Sequence, residues 1–325
     1  MKKIVSCFSV ILLTILLVSC KKSNIIKCNP IYAMNTIINV SFYGTEDTTK
    51  HYEEIKKIYQ KYDSVSSDFE SSKVQNVFEL NEKRSIVASA ELIELVNEAV
   101  AYIDKTNGYF NPFIGRISHI WKDAIEKEIE VDSKLIEKEL EIMNSTSVKI
   151  ENSTISLIGD GNLDLGGIAK GYATSKAVEY LEDNGITGYL ISAGNSNISC
   201  GTKPDSIFKI ALENSDGSDL YKIVEVNNAS LGTSSYKYQN KIINGALYHH
   251  LINPFTGFPA CEYDSVSVKG NTPTDCDVYS TAIFAMNKDD AIDFATKNHL
   301  EIILYKNNEI IYQSDWWKNN EYQKK

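Results

Sequence analysis

The interior of this 325-residue chain lacks any stretch rich in proline, glycine and serine. One folding unit, of one or two lobes, is therefore the simplest organisation. Cysteine pairs at CxxC spacing are absent, and no histidine lies near enough to a cysteine to suggest a zinc ribbon. Basic residues are outnumbered, 33 Lys and Arg against 43 Asp and Glu, leaving a net charge of −10. No basic stripe is available for nucleic acid. Repeats are missing too, and with 43% hydrophobic and 10% aromatic residues the chain can bury a large core. The one sustained apolar run, residues 10–18 interrupted by Thr14, is too brief for a comfortable membrane span.

What is present begins at that run. Lys2 and Lys3 precede it, and it closes on Leu17-Val18-Ser19-Cys20 before polar Lys21-Lys22-Ser23. A basic start and a short apolar core mark a signal peptide. The Leu-x-Ser-Cys ending resembles the bacterial lipobox, which implies cleavage before Cys20 and lipid attachment, palmitate included, at that residue. The expected organisation is a lipoprotein signal peptide over 1–19, a tether over 20–30 and a catalytic domain over 31–325. Lipid would hold the exported protein on a bacterial membrane, at the periplasmic face of an inner membrane or the outer face of a Gram-positive one. Losing Lys2 and Lys3, with no acid in 1–19, takes the charge from −10 to −12. Any phosphate ligand then needs local neutralisation. Besides Cys20 the exported chain keeps Cys28, Cys200, Cys261 and Cys276, expected as buried thiols.

Periodicity predicts both element types. Ile38, Val40 and Phe42 alternate as a strand ending at Gly44, and Ile55, Ile58, Tyr59 and Tyr62 mark a helix. Leu92, Leu95, Val96, Ala99, Val100 and Ile103 form a second helix, with Ser89 as N-cap; residues 132–143 form a third. A hairpin turns at Asn152-Ser153, and strands are expected over 207–212, 222–226, 301–305 and 310–313. Hairpins mixed with helices give an α+β class with largely antiparallel sheets.

Three segments carry chemistry. Residues 163–171, Leu-Asp-Leu-Gly-Gly-Ile-Ala-Lys-Gly, put Asp164, Gly166, Gly167 and Lys170 in a tight turn before an amphipathic stretch over 168–181. Such a turn suits an anion, and equally suits plain turn chemistry. Residues 249–259 place His249 and His250 before Asn253-Pro254 and Thr256-Gly257, a loop stiffened by two prolines. Asp277 and Thr281, at i and i+4, are hard oxygen donors suited to magnesium, although Asp277 also fits a helix N-cap.

In this order the segments resemble the ApbE family of FAD:protein FMN transferases. Met34-Asn35-Thr36 stands for the family's Met-Gly-Thr, Ser67-Asp68-Phe69 for Ser-x-aromatic, and Gly108-Tyr109-Phe110-Asn111-Pro112 for Gly-x-Phe-Asp-Pro; Leu231-Gly232-Thr233-Ser234-Ser235 adds another match. Departures fall at Asn35, at Asn111, and at Asn253 where Asp is frequent. Asn253 keeps the turn hydrogen bonds of Asp but not its charge. Residues 193–197, Ala-Gly-Asn-Ser-Asn, replace a Gly-Gly-Asp type and receive no role.

The resemblance implies a two-lobed α+β fold, T-fold-like, with the site between the lobes. It further implies cleavage of FAD at its pyrophosphate, transfer of FMN to a threonine of a partner flavoprotein such as a subunit of a membrane redox complex, and release of AMP. Mg2+ ligands would be Asp277, Thr281 and the Gly167 carbonyl. His250 would be the base, with His249 its competitor, and His51, His119 and His299 are read as structural. FAD contacts carried over are Met34, Phe69, Tyr109, Phe110, Asn111, Asp164, Lys170 and Leu251. Two alternatives share these residues: an FAD pyrophosphatase using water, and a non-catalytic flavin-binding lipoprotein.

Overall fold

The computed structural model describes residues 25–44, 47–214, 217, 219–237 and 239–323, so Cys20 and the leader lie outside the described residues. The first half runs β1 (Ile25–Lys27), β2 (Ile31–Ala33), β3 (Thr36–Tyr43), α1 (Thr49–Ser66), α2 (Val77–Lys83), β4 (Ser85–Val87), α3 (Ala90–Lys105), α4 (Gly115–Lys127), α5 (Ser133–Asn144), β5 (Ser147–Glu151) and β6 (Thr154–Ile158). Next come α6 (Ala169–Asp183), β7 (Tyr189–Ala193), β8 (Asn197–Cys200), β9 (Phe208–Glu213), β10 (Leu220–Val226), β11 (Ala229–Ser235), β12 (Asn240–Ile243) and β13 (Ala246–His249). The chain closes with β14 (Ser265–Gly270), α7 (Pro273–Phe284), α8 (Lys288–Lys297), β15 (Glu301–Lys306), β16 (Glu309–Gln313) and α9 (Asp315–Asn319).

One antiparallel sheet organises the molecule, in the order β1-β3-β7-β8-β11-β14-β15-β16 with β2 also on β3. The alternation read from Ile38, Val40 and Phe42 is real: all three are buried on the face that carries the helices. Its opposite face is partly covered by the β9–β10 hairpin and α9, through a smaller core of Phe208, Ile210, Val224 and Trp317. A three-stranded sheet, β4-β6-β5, stands apart, and its β5–β6 turn at Asn152-Ser153 has the positive φ expected of a tight hairpin. Among the described residues the α+β expectation holds, with every sheet pairing antiparallel.

α7 occupies the centre. Thr272 caps it, its hydroxyl accepting from Asp275 N at 3.0 Å, and Pro273 opens the first turn. Asp277 is thus an interior helix residue and not a cap. Val278, Ala282, Ile283 and Phe284 are buried together with Cys276 and Ser280, so the helix shows no polar face. A helix surrounded by sheet and other helices loses the amphipathic period by which surface helices are recognised.

Thiol burial is mixed. Cys200 and Cys276 are buried as expected, whereas Cys28 is half-buried and Cys261 is exposed in the loop before β14; all four are free.

Candidate active site

Two glycines let α7 approach its neighbours. A methyl group on Gly232 of β11 would collide with the Cys276 carbonyl, and one on Gly171 of α6 would stand 2.5 Å from Asp277 Cβ and 2.7 Å from the Pro273 carbonyl. Close approach brings a backbone donor to a buried acid: Gly171 N–H donates to Asp277 Oδ2 at 2.8 Å. No hydrogen bond from a described residue reaches Oδ1. Burial pushes the Asp277 carboxyl above its ordinary range, opposed by the Lys170 charge and the Gly171 N–H.

One turn on, Thr281 Oγ1 donates to the Asp277 carbonyl at 3.1 Å and lies 3.3 Å from Ser234 Oγ. Gly167 faces the same spot, since a methyl there would meet Phe110 Cε2 at 3.1 Å and Thr281 Cγ2 at 3.5 Å. Gly167 thus lies beside Thr281, one helical turn on from Asp277. Among the described residues no group of three or more His, Cys, Asp or Glu gathers as a metal centre. A carboxylate, a hydroxyl and a carbonyl are nonetheless hard oxygen donors of the kind magnesium takes, and an electron-poor ion would relieve the strain of a buried carboxylate.

The histidine pair separates into two roles. His249 is 1% exposed; its Nε2–H donates to the Ala260 carbonyl at 2.8 Å, and Nδ1 accepts from Leu251 N at 3.2 Å. Tyr236 stacks on it and Phe284 meets it edge-on. Both ring nitrogens are used, so His249 is structural. His250 differs, because its Nδ1 is buried and meets no partner among the described residues. Leaving such an atom unpaired costs about 1–3 kcal/mol, a cost a ligand could remove. Burial pushes its imidazole down to about 4, with the Gln239 backbone opposing and His249, Lys170 and Lys122 adding to the fall.

A cluster on α4 completes the surroundings. Asp164 accepts from Ser118 Oγ at 2.7 Å and from Gly166 N at 2.7 Å, and Lys122 Nζ stands 3.6 Å from its Oδ2. Burial alone would raise the Asp164 carboxyl; Lys122, Ser118, Gly166 N–H and His119 outweigh it and hold the group below its ordinary value. Lys122 also lies 4.0 Å from Asp68 and 4.3 Å from the centre of the Phe69 ring. His119 bonds Asp68 at 2.8 Å and stacks on Phe69 at 5.4 Å. Phe69 is 53% exposed, an aromatic ring held by Lys122 and the stacked His119 ring and still open to solvent. His119, expected to be structural, holds Asp68 and Phe69 in place here, while Lys122 and Ser118 carry no expectation from the sequence. Their only sequence signal is the i, i+1, i+4 spacing of 118, 119 and 122 after the Gly-x-Phe-Asn-Pro segment.

The remaining expected contacts scatter more. Met34 sits in the β2–β3 turn with φ 56°, beside Asn35 at φ 54°, and its N–H donates to Asp63 Oδ1 at 2.6 Å. Asn tolerates that left-handed backbone better than other side chains, which accounts for Asn35 where glycine is usual. Phe110 is a core residue at 5% exposure that shows only its ring edge to Gly167. Tyr109 packs edge-on against Phe255 at 4.8 Å, and Leu251 is buried. Asn111 Oδ1 accepts from Phe113 N at 2.9 Å in a local turn. Asn253 donates to the Ala285 carbonyl at 3.0 Å, a bond an aspartate could not make, and accepts from Phe255 N at 2.9 Å. Its role is to tie the histidine loop to the end of α7.

Known proteins resemble this arrangement along nearly the whole chain. An FAD:protein FMN transferase of Haemophilus influenzae is 24% identical over 322 residues, 94% of this chain and 93% of that protein. Another, of Treponema pallidum, is 27% identical over 221 residues, 62% of this chain and 61% of that protein. In structure, the ApbE protein of Thermotoga maritima superposes with a TM-score of 0.81 at 22% identity, covering 92% of this chain and all of that one. The flavin transferase ApbE of Vibrio cholerae gives 0.76 at 21% identity, over 92% and 99% of the two chains. The ApbE family model matches residues 34–304, and on that match this chain belongs to the ApbE family.

Proposed function

We propose that the chain is a magnesium-dependent FAD:protein FMN transferase, moving FMN from FAD to a threonine hydroxyl of a partner flavoprotein and releasing AMP. The observation that carries the reading is Gly167 set beside Thr281, with the buried Asp277 one helical turn away under the charge of Lys170. The threonine oxygen bonds to the FMN phosphorus as the bond from that phosphorus to the AMP oxygen breaks. The hydroxyl proton passes to His250, neutral at working pH and so able to accept it. Lys170 offsets the charge of the departing anion, while Asp164 and the open face of Phe69 orient the flavin nucleotide. Asp277, Thr281 and the Gly167 carbonyl would hold magnesium, which neutralises phosphate oxygens and acts as a Lewis acid.

We further propose that lipid on Cys20 holds the enzyme at a membrane outside the cytoplasm. The support is the sequence at 17–20. Cys20→Ser is expected to shift the protein from the membrane fraction to a soluble or unprocessed form, and unchanged fractionation would defeat the proposal.

The transfer test is direct. Incubation with FAD, magnesium and an unflavinylated acceptor domain is followed by intact-mass measurement. A mass gain of one FMN on the acceptor supports transfer. FMN and AMP in solution with no gain on the acceptor would mark a pyrophosphatase instead, and FAD bound but uncleaved a storage protein.

A further inference from the structure

Strand β11 lies along α7 and presents alternate residues to it. Leu231 turns instead to the smaller core and Thr233 to Ser267, 2.8 Å between their hydroxyls, which leaves Gly232 and Ser234 on the helix side. Gly232 stands against the Cys276 carbonyl. Two strand residues further on, about 7 Å, the chain has advanced by nearly the same distance as one turn of α7, about 6 Å. The two rises match, so Ser234 meets the helix one turn beyond Cys276, at Ser280 and Thr281.

Ser234 is buried, and among the described residues its hydroxyl meets only these two, Ser280 Oγ at 2.9 Å and Thr281 Oγ1 at 3.3 Å. A hydroxyl has one proton to donate and two lone pairs. Ser280 and Thr281 both direct their protons at the Asp277 carbonyl, at 3.0 and 3.1 Å. Of the three hydroxyls, Ser234 alone has an uncommitted proton, and the oxygens of Ser280 and Thr281 are the acceptors within its reach. Ser280 holds it between the pair. Donated to Thr281, that proton fixes the rotamer of the threonine, fills one lone pair and leaves the second for a cation.

We propose that Ser234 is a positioning residue for magnesium, acting through Thr281: it holds the threonine oxygen in the orientation from which it can take the ion, and is not itself a ligand. The inference rests on the reading of Asp277, Thr281 and the Gly167 carbonyl as the magnesium site. A clasp that merely joined strand to helix would show in melting temperature and leave ion affinity alone.

The test uses the full chain and two probes, Mn2+, whose free ion is counted by electron paramagnetic resonance, and Mg2+ titrated calorimetrically. If the wild-type chain binds neither ion, the magnesium reading itself has failed and the role of Ser234 falls with it. If it binds them, Ser234→Ala is expected to weaken affinity about tenfold or more, the scale on which a group behind a metal ligand acts. FAD affinity in excess EDTA should stay within about twofold, since the hydroxyl acts on the ion and not on the nucleotide. Ser234→Thr keeps the hydroxyl and should hold ion affinity within about threefold, while Ser234→Val, of the same shape without it, should match Ser234→Ala. That pair isolates the hydroxyl even if alanine loosens the strand. Thr281→Val removes the oxygen through which Ser234 acts, so adding Ser234→Ala to it should change ion affinity by less than about twofold. Unchanged affinity in Ser234→Ala overturns the proposal, as do equal losses in Ser234→Thr and Ser234→Val. A further loss from Ser234→Ala in the Thr281→Val background overturns it equally, because Ser234 would then be a ligand itself or a general support of the fold.

Discussion

The site has two halves built in different ways. Around α7, Gly167, Lys170 and Gly171 come from one nonapeptide and Asp277 and Thr281 from one helical turn, and backbone groups make the decisive contacts. Around α4, Asp68, Ser118, His119, Lys122 and Asp164 meet only through side chains, across 46 residues from Ser118 to Asp164 and 51 from Asp68 to His119. Chemistry that must hold a small ion needs short rigid spacing, whereas orienting a large planar ligand can be left to distributed charge pairs. The first half should therefore be brittle and the second tolerant.

The sharpest contrast comes from Asp277→Ala. Turnover of FAD is expected to fall at least about 10²-fold at limiting magnesium, because a lost carboxylate ligand removes most of the metal affinity. Thermal stability should change by only a few degrees, since the substitution orphans one N–H but also removes a buried acid. Wild-type turnover in that variant, at limiting magnesium, would break the assignment.

His250→Ala follows, with turnover lowered roughly 10²-fold while FAD affinity holds within about threefold. A base pushed down to about 4 also sets a pH signature. The acid limb of kcat/KM should lie near 4, well below the ordinary 6.5 of histidine. Affinity lost in proportion to rate would make His250 a ligand contact.

Lys122→Met probes the tolerant half. KM for FAD should rise about five- to tenfold with kcat within about twofold, and Lys122→Arg should restore most of it, since the charge near Asp164, Asp68 and Phe69 is what matters. A kcat loss as large as that of Asp277→Ala would erase the distinction between the halves.

The smallest effect concerns His249, whose imidazole burial also pushes down to about 4. With the folded value below the unfolded 6.5, the unfolded chain takes up the proton first. Its stabilising contribution is complete above about 6.5 and lost as pH falls toward 4. Melting temperature against pH should be flatter over that window in His249→Gln than in wild type.

This division also marks what could be read in advance. Strand β3, helices α1 and α3 and the β5–β6 hairpin announced themselves through period and turn residues, because each has one solvated side. α7 shows little period since it is buried all round, and only its Asp-x-x-x-Thr spacing drew attention. The glycine-bearing nonapeptide was legible because close approach demands a residue type that few other needs explain. Lys122 and His119 were not, since a lysine and a histidine on a half-exposed helix look like any solvated face until the sheet brings Asp68 and Asp164 beside them. Strand order was equally hidden: β3 lies against β7, which follows it by about 150 residues, and no local pattern encodes that pairing.

The contact between Gly171 and Asp277 spans 106 residues and exists only when α6, α7 and β11 are all docked. A fragment lacking either α6 or α7 cannot assemble that contact, because its two sides are contributed by segments 106 residues apart. Catalytic competence and completed folding arrive together, which makes turnover itself a gauge of correct tertiary assembly.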